Sequence, residues 1–253
     1  MRLAQFPIGV FGVAMSTAVL PSLSGHAARR EYGKLKEDFA FALRLLLFIC
    51  LPAMAGLIAL RVPIINMLFE RGRFDHAATL GTASALLYYS LGIWAYVGVR
   101  VVVATFYSMQ NTRTPVTVAA CALGANIILS LALMGPMKHD GLALANALAS
   151  MLNFSVLFYL LRRQLGGIGA RGTLISVARS ALASAVMGAL AWAVVRGPLW
   201  EAPGHSAEKA LWLCGTIILC SAVYAGASRL LRSDEFDFLL AAAKRKFSGR
   251  ING

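Results

Sequence analysis

An all-α integral membrane protein is the fold class this sequence predicts, and three observations predict it. Hydrophobic residues make up 58% of the 253 residues and charged residues only 14%, against about 25% charged in an ordinary soluble domain. Mean hydropathy is +0.69. The apolar residues fall in runs near the roughly 20-residue length that crosses a bilayer as a helix, and none shows the alternation of a barrel strand. Hydrocarbon leaves helices and closed barrels as the only ways to pair every backbone polar group, so each run reads as a helix.

Seven such runs follow in order. Phe6 to Leu23 has Pro7 near its start, where the missing N–H would be unpaired in any helix. Gly9, Gly12 and Ser16 recur along it at helical spacing, a smooth face for another helix or a bulky substrate. Phe39 to Leu60 carries Arg44, and Leu80 to Tyr107 carries Arg100. Val116 to Met134 contains Asn126 and Ser130, whose side chains suit hydrogen bonds between helices or oxygen contacts to a cation. Gly141 to Leu161 is followed by Leu174 to Val195, which carries Arg179, and by Ala210 to Ala227.

An odd number of spans puts the termini on opposite faces. Outside the spans, 14 Lys and Arg fall on the face that includes the C-terminus and 7 on the other. Basic residues concentrate on the cytoplasmic side, so Met1 is expected outside and Gly253 inside. Trp192, Trp200 and Trp212 fit this assignment, since they stand at the outer ends of the last two runs, where amphipathic rings favour the headgroup zone.

The net charge of +13 is spread over short loops and the tail AAAKRKFSGRING, which suits topology and anionic lipid headgroups. No nucleic-acid partner is expected, because the tail has no recognised fold and no aromatic platform. Cys50, Cys121, Cys214 and Cys220 all lie inside apolar runs without metal-ligand spacing and read as packing residues. His26, His76, His139 and His205 are scattered over separate loops. No metal site, no cofactor and no catalytic residue is expected, and no motif of an enzyme is present. The start lacks a charged leader region and a cleavage site, so the first run is expected to be a span and not a signal peptide.

All eleven carboxylates fall in loops or in the tail, whereas Arg44, Arg100 and Arg179 fall within spans and Arg2 just ahead of the first. Ionisable groups at membrane depth mark functional sites or reach for the interface. Arg44 and Arg179 lie about one turn from the cytoplasmic end and are expected to snorkel. Arg100 lies deeper, and both readings stay open for it. Positive charge facing a cavity suits an anionic substrate, and the guanidinium fork matches phosphate oxygens.

The opening run RLAQFPIGVFGVAMSTAVLPSLS resembles the segment that begins the C-terminal half of the MurJ (MviN) lipid II flippase family. LFERGRFD, FYSMQNTRTPV and GPMKHDGLALANALASMLN match that family further along in the same order. The resemblance covers most of residues 1–232. It implies one lobe, the C-terminal half, of a fourteen-helix, two-lobed flippase fold in the multidrug/oligosaccharidyl-lipid/polysaccharide exporter superfamily. It implies a five-helix part over 1–161 lining a central cavity, a lipid-tail groove made by the last two helices over 174–232, and a basic cytoplasmic tail over 233–253. The partners implied are lipid II, an undecaprenyl-pyrophosphate-linked peptidoglycan precursor, together with membrane lipids and an N-terminal lobe upstream of this chain. The location implied is the bacterial cytoplasmic (inner) membrane.

On the same resemblance, Arg2 meets the pyrophosphate in a cationic cavity. Gln5 stands beside it where the family often has a carboxylate. Arg100 and Arg179 complete the substrate-binding set, with Arg179 near the groove's cytoplasmic entrance. Pro7, Gly9, Gly12, Ser16 and the sequence Thr112-Arg113-Thr114-Pro115 carry the structural motifs. Two alternatives stand beside this reading: a flippase for another polyprenyl-linked polysaccharide intermediate, and a membrane scaffold or truncated remnant that does not transport.

The topology is open to a direct test. Single-cysteine accessibility in intact cells is expected to label Ser206→Cys from outside and to leave Ser248→Cys protected; labelling of Ser248→Cys from outside would reverse the assignment.

Overall fold

The computed structural model describes residues 13–70, 75–167, 170–196, 200, 206–231 and 233–241. These residues form α1 (Val13–Ala28), α2 (Tyr32–Ala59), α3 (Arg61–Phe69), α4 (His76–Leu91), α5 (Ile93–Ser108), α6 (Arg113–Met137), α7 (His139–Leu165), α8 (Ala170–Val195) and α9 (Ser206–Leu230). A short closing helix, α10, covers 234–241. No strand occurs among the described residues, and six helical segments there are long and apolar enough to cross a membrane. The first expected span lies only in part within the described residues, where α1 represents it.

Most helices outrun the apolar runs that announce them. α2 starts at Tyr32, so Lys34, Lys36, Glu37 and Asp38 ride on its first turns, and a helix continues until a residue or turn stops it. The stops are legible. Asp75 caps α4 by accepting the Ala78 N–H at 2.8 Å, the usual office of an aspartate before a helix. α7 ends at Gly166 in the left-handed conformation, with Arg162 and Arg163 in its last turn, where glycine carries no steric penalty and cations favour the dipole's negative end.

The third run departs from expectation. One helix from Leu80 to Tyr107 is expected, but the chain breaks at Gly92 into α4 and α5. The Gly92 N–H bonds to the Tyr89 carbonyl at 3.1 Å, tightening the backbone locally. A Cβ at Gly92 would sit 3.0 Å from the Ala147 Cα, so α7 crosses close enough that a larger residue would have to push it back by a few tenths of an ångström. The bend keeps both halves packed on α7. The α6–α7 hairpin depends on the same economy of volume. A Cβ on Gly141 would fall 2.2 Å from the Leu133 carbonyl oxygen, while Lys138 reverses the chain at a φ of 50°.

Two cores share α2. Leu43, Leu46, Leu47 and Cys50 join residues of α1, α4, α5 and α7 in one, and Phe48 and Leu60 join Met187, Leu213, Cys220 and Tyr224 in the other. α8 runs parallel to α2, with Gly172 beside Arg44 at one end and Gly188 beside Ala55 towards the other. α6 and α9 are edge helices. Ile128 and Leu131 on α6, and Leu211 and Ile218 on α9, stay largely exposed, as side chains facing lipid do. Edge position also corrects the cysteine reading. Cys50 and Cys220 are buried packing residues, but Cys121 and Cys214 are exposed on these outer faces.

Pro52 lies inside α2 and has no N–H, so the Phe48 carbonyl one turn earlier loses its intrahelical donor. Hydrocarbon offers no water to replace it. The Tyr224 hydroxyl on α9 donates to that oxygen at 2.7 Å, and the two rings pack with centroids 5.2 Å apart. Tyr224→Phe is therefore expected to cost about 1–3 kcal/mol. Pro52→Ala restores the missing donor, so the same Tyr224→Phe change in that background should cost less than half as much. A double-mutant cycle on unfolding in mixed micelles reads the difference; equal costs in both backgrounds would mean that the hydroxyl's contribution does not depend on the carbonyl that Pro52 leaves without a donor.

Candidate functional site

Arg2, Gln5, Pro7, Gly9 and Gly12 lie outside the described residues. Ser16 falls on the helical backbone of α1, and its side chain is also outside them. Arg100 is half-buried on α5 and Arg179 is exposed on α8. Both helices pack on α2, α5 through the first core and α8 mainly through the second. Among the described residues Arg100 has no ion pair.

Arg44 corrects the snorkelling expectation. Its Nε lies 3.4 Å from Oε1 of Glu235 on α10, and Glu235 is buried at 2% exposure. The Ser176 hydroxyl of α8 donates to the same carboxylate oxygen at 2.7 Å, and Phe41 meets Phe238 edge to face with centroids 5.0 Å apart. The tail folds back to supply a counter-charge, so this arginine has no need to reach for the headgroups. The Oδ1 of Asn126 on α6 is covered without a hydrogen-bond partner, and so is that of Asn153 on α7.

The FYSMQNTRTPV segment builds the turn between α5 and α6. Gln110 takes a φ of 58°, the Asn111 N–H bonds back to the Phe106 carbonyl at 3.0 Å, and the Asn111 side chain accepts the Thr114 N–H at 3.2 Å. Pro115 is buried in the first turn of α6, while Thr112 and Arg113 are exposed. The segment thus sets a hairpin, with Arg113 on its open face. At the same end of the molecule, the His26 imidazole and Lys34 hold the Glu31 carboxyl below the usual carboxylate range.

At the opposite end a polar network joins three segments. Asn66 on α3, 3% exposed, donates to Glu70 Oε2 at 2.6 Å and to the Trp200 carbonyl at 2.9 Å. Its Oδ1 accepts from Lys209 Nζ of α9 at 2.9 Å. Glu70 Oε2 also accepts from the Thr79 hydroxyl at 2.8 Å, with His76 Nδ1 3.5 Å away. Sequence reading missed this cluster. LFERGRFD holds Glu70, but nothing in the spacing pairs Asn66 with a lysine far along the chain.

Two grooves meet α8, the smaller of them only at Val194. One, of about 310 Å³, lies against α9 and is lined by Val194, Leu211, Trp212, Gly215, Thr216 and Leu219. The other, of about 480 Å³, lies against α2 and is lined by Met54, Ile58, Ser184, Gly188 and Trp192 among others. Trp192 and Trp212 are half-exposed at the expected end of the bundle, whereas Trp200 is buried at 7% exposure and packs into the second core. Among the described residues no group of three or more metal-ligating side chains occurs.

Comparison with known proteins gives one consistent match. The family model described as "Lipid II flippase MurJ" matches residues 1–200. A probable lipid II flippase MurJ of Vibrio cholerae is 35% identical over 231 residues, covering 91% of this chain and 44% of that protein. One from Rhizobium meliloti is 33% identical, covering 88% of this chain and 42% of its own. A solved structure titled lipid II flippase MurJ, inward closed conformation, superposes with a TM-score of 0.71 at 25% identity, covering 92% of this chain and 47% of that one. The chain spans less than half the length of these relatives.

The network at Asn66 yields a stability test. Asn66→Leu takes a partner from Glu70, from Lys209 and from the Trp200 carbonyl together, and is expected to cost about 3 kcal/mol or more. Thr79→Val removes one bond at the edge and should cost about 1 kcal/mol. Unfolding of purified protein in mixed micelles measures both; equal effects would show that Asn66 does not hold the cluster together.

Proposed function

This chain belongs to the lipid II flippase MurJ family, and from that premise we propose that it forms the C-terminal lobe of a lipid II flippase. The family carries a lipid across a membrane and is not a catalytic one, and the apolar helices place the chain as a multi-pass protein of the bacterial inner membrane. The observation that carries the proposal is the coverage itself. One fold is matched along nearly the whole of this chain and along 47% of the solved flippase.

In this reading the substrate is undecaprenyl-pyrophosphate-linked peptidoglycan precursor, and a second, N-terminal lobe supplies the facing wall. Alternating access follows from two repeats rocking against each other around a site at their interface. By the family resemblance, Arg2 and Gln5 are assigned to the start of the first helix at that interface, with Arg2 offering its guanidinium fork to the diphosphate. Arg100 adds charge from α5, and its lack of an ion pair among the described residues supports a role towards an anionic ligand. The groove between α8 and α9 takes the polyprenyl tail, with Arg179 near the cytoplasmic end of α8. Arg44 has no part in binding, because its charge is answered by Glu235.

Complementation of a flippase-depleted strain, with the N-terminal lobe supplied, tests this assignment. Arg2→Ala is expected to abolish growth rescue, and Arg2→Lys to restore it in part, since an ammonium keeps the charge and loses the fork. Arg100→Ala should weaken rescue, while Arg113→Ala, on the exposed turn, should not. Full rescue by Arg2→Ala at normal expression would remove Arg2 from the site.

A further inference from the structure

The larger groove is not one that the last two helices make. It lies between α2 and α8, occupies the final third of α2 from Leu51 to Ala59, and meets the second half of α8 from Ala181 to Trp192. Eight residue steps of about 1.5 Å give it a depth of about 12 Å, close to half of the roughly 30 Å hydrocarbon core. The groove is therefore one leaflet deep. Its open end is the one where α3, the start of α4 and the start of α9 lie, which the charge asymmetry places outside.

That end is cationic. A hollow of about 210 Å³ adjoins the groove, shares Ala59, Arg61 and Trp192 with it, and is lined further by His76, Arg196 and Trp200. Arg61 is fixed by donating from Nη1 to the Ile58 carbonyl at 2.8 Å. Arg196 is fixed by stacking, its guanidinium carbon 3.2 Å from the centroid of the Trp192 ring. Neither makes an ion pair among the described residues. Of the nearby carboxylates, Glu70 is bonded to Asn66 and Thr79 with His76 3.5 Å away, and Glu208 lines an adjoining notch together with Arg196 and Trp200 without forming an ion pair with either arginine.

We propose that this groove and its mouth bind one anionic phospholipid of the outer leaflet, with an acyl chain between α2 and α8 and the phosphodiester between Arg61 and Arg196. The charge is complementary, the guanidinium fork suits phosphate oxygens, and the tryptophans stand at headgroup depth. The depth argues for a leaflet lipid over a polyprenyl carrier, whose chain is far longer than one leaflet is thick. Ser184 is the polar group on the groove wall, and it is already satisfied by the Ser180 carbonyl at 2.7 Å, so the wall suits a chain without polar atoms. The bound lipid braces α8 on α2 from the open side.

The test uses the whole chain in nanodiscs of phosphatidylcholine doped with either phosphatidylglycerol or phosphatidylcholine carrying brominated acyl chains. The signal is the quenching lost on Trp192→Phe. With two arginines at the headgroup, an apparent preference of about tenfold for phosphatidylglycerol is expected. Arg61→Gln with Arg196→Gln should bring it near one, and the paired lysine variants should retain part of it. Gly188→Leu, which fills the groove beside Ala55 and leaves both arginines, should abolish quenching by either lipid. Far-ultraviolet circular dichroism and the unfolding midpoint verify that each variant is folded. Equal quenching by the two lipids in the unaltered protein, or a preference that survives both the glutamine and the leucine variants, overturns the proposal. Displacement by equimolar unlabelled polyprenyl diphosphate would give the site to the carrier lipid, and loss of the preference in millimolar inorganic phosphate would make it a plain anion site; either result also overturns it.

Discussion

The bond from the Tyr224 hydroxyl to the Phe48 carbonyl embodies the constraint on which this fold depends: in hydrocarbon every backbone polar group needs a partner within the protein. Proline in a spanning helix breaks that rule locally, and here α9 restores it from across the second core. α2 is thereby tied to the pair α8 and α9 at the point where its own hydrogen bonding fails. Because α2 also contributes to the first core, that tie holds the two halves of the described structure to one helix.

The same constraint, applied to charge, orders the two ends of the bundle. At one end Arg44 is answered by Glu235 of the returning tail. At the other Lys209 is bonded to Asn66, which also holds Glu70 and the Trp200 carbonyl. Each cluster gathers segments far apart in sequence, and each sits where a spanning segment meets a connection. Three of the arginines left without ion pairs among the described residues are then informative by contrast. Arg100, Arg61 and Arg196 are held by packing, backbone or stacking contacts and remain available to an anion.

Much of this was legible in the sequence. Composition and run length gave the helical membrane class, and the order of motifs gave the family. Helix ends were less legible, because a spanning helix continues past its apolar run on residues such as Lys34 and Glu37 that no hydropathy pattern includes. The break at Gly92 was hidden, since a glycine inside an apolar helix signals nothing until the Ala147 backbone is seen against it. Asn66, Glu70 and Lys209 were hidden for a related reason: their partnership is set by tertiary distance, and local spacing is silent about it. Arg44 reads alone as a snorkelling residue, and only the folded tail reveals its counter-charge.

The proposed function makes this chain one wall of a transporter whose other wall is a second lobe. The most direct measurement is protein-dependent translocation of fluorescent lipid II in proteoliposomes, with this chain alone and with a co-reconstituted N-terminal lobe. Flipping only in the paired vesicles is the result predicted. Robust flipping by this chain alone would contradict it, and would mean that two copies of the same chain build both walls.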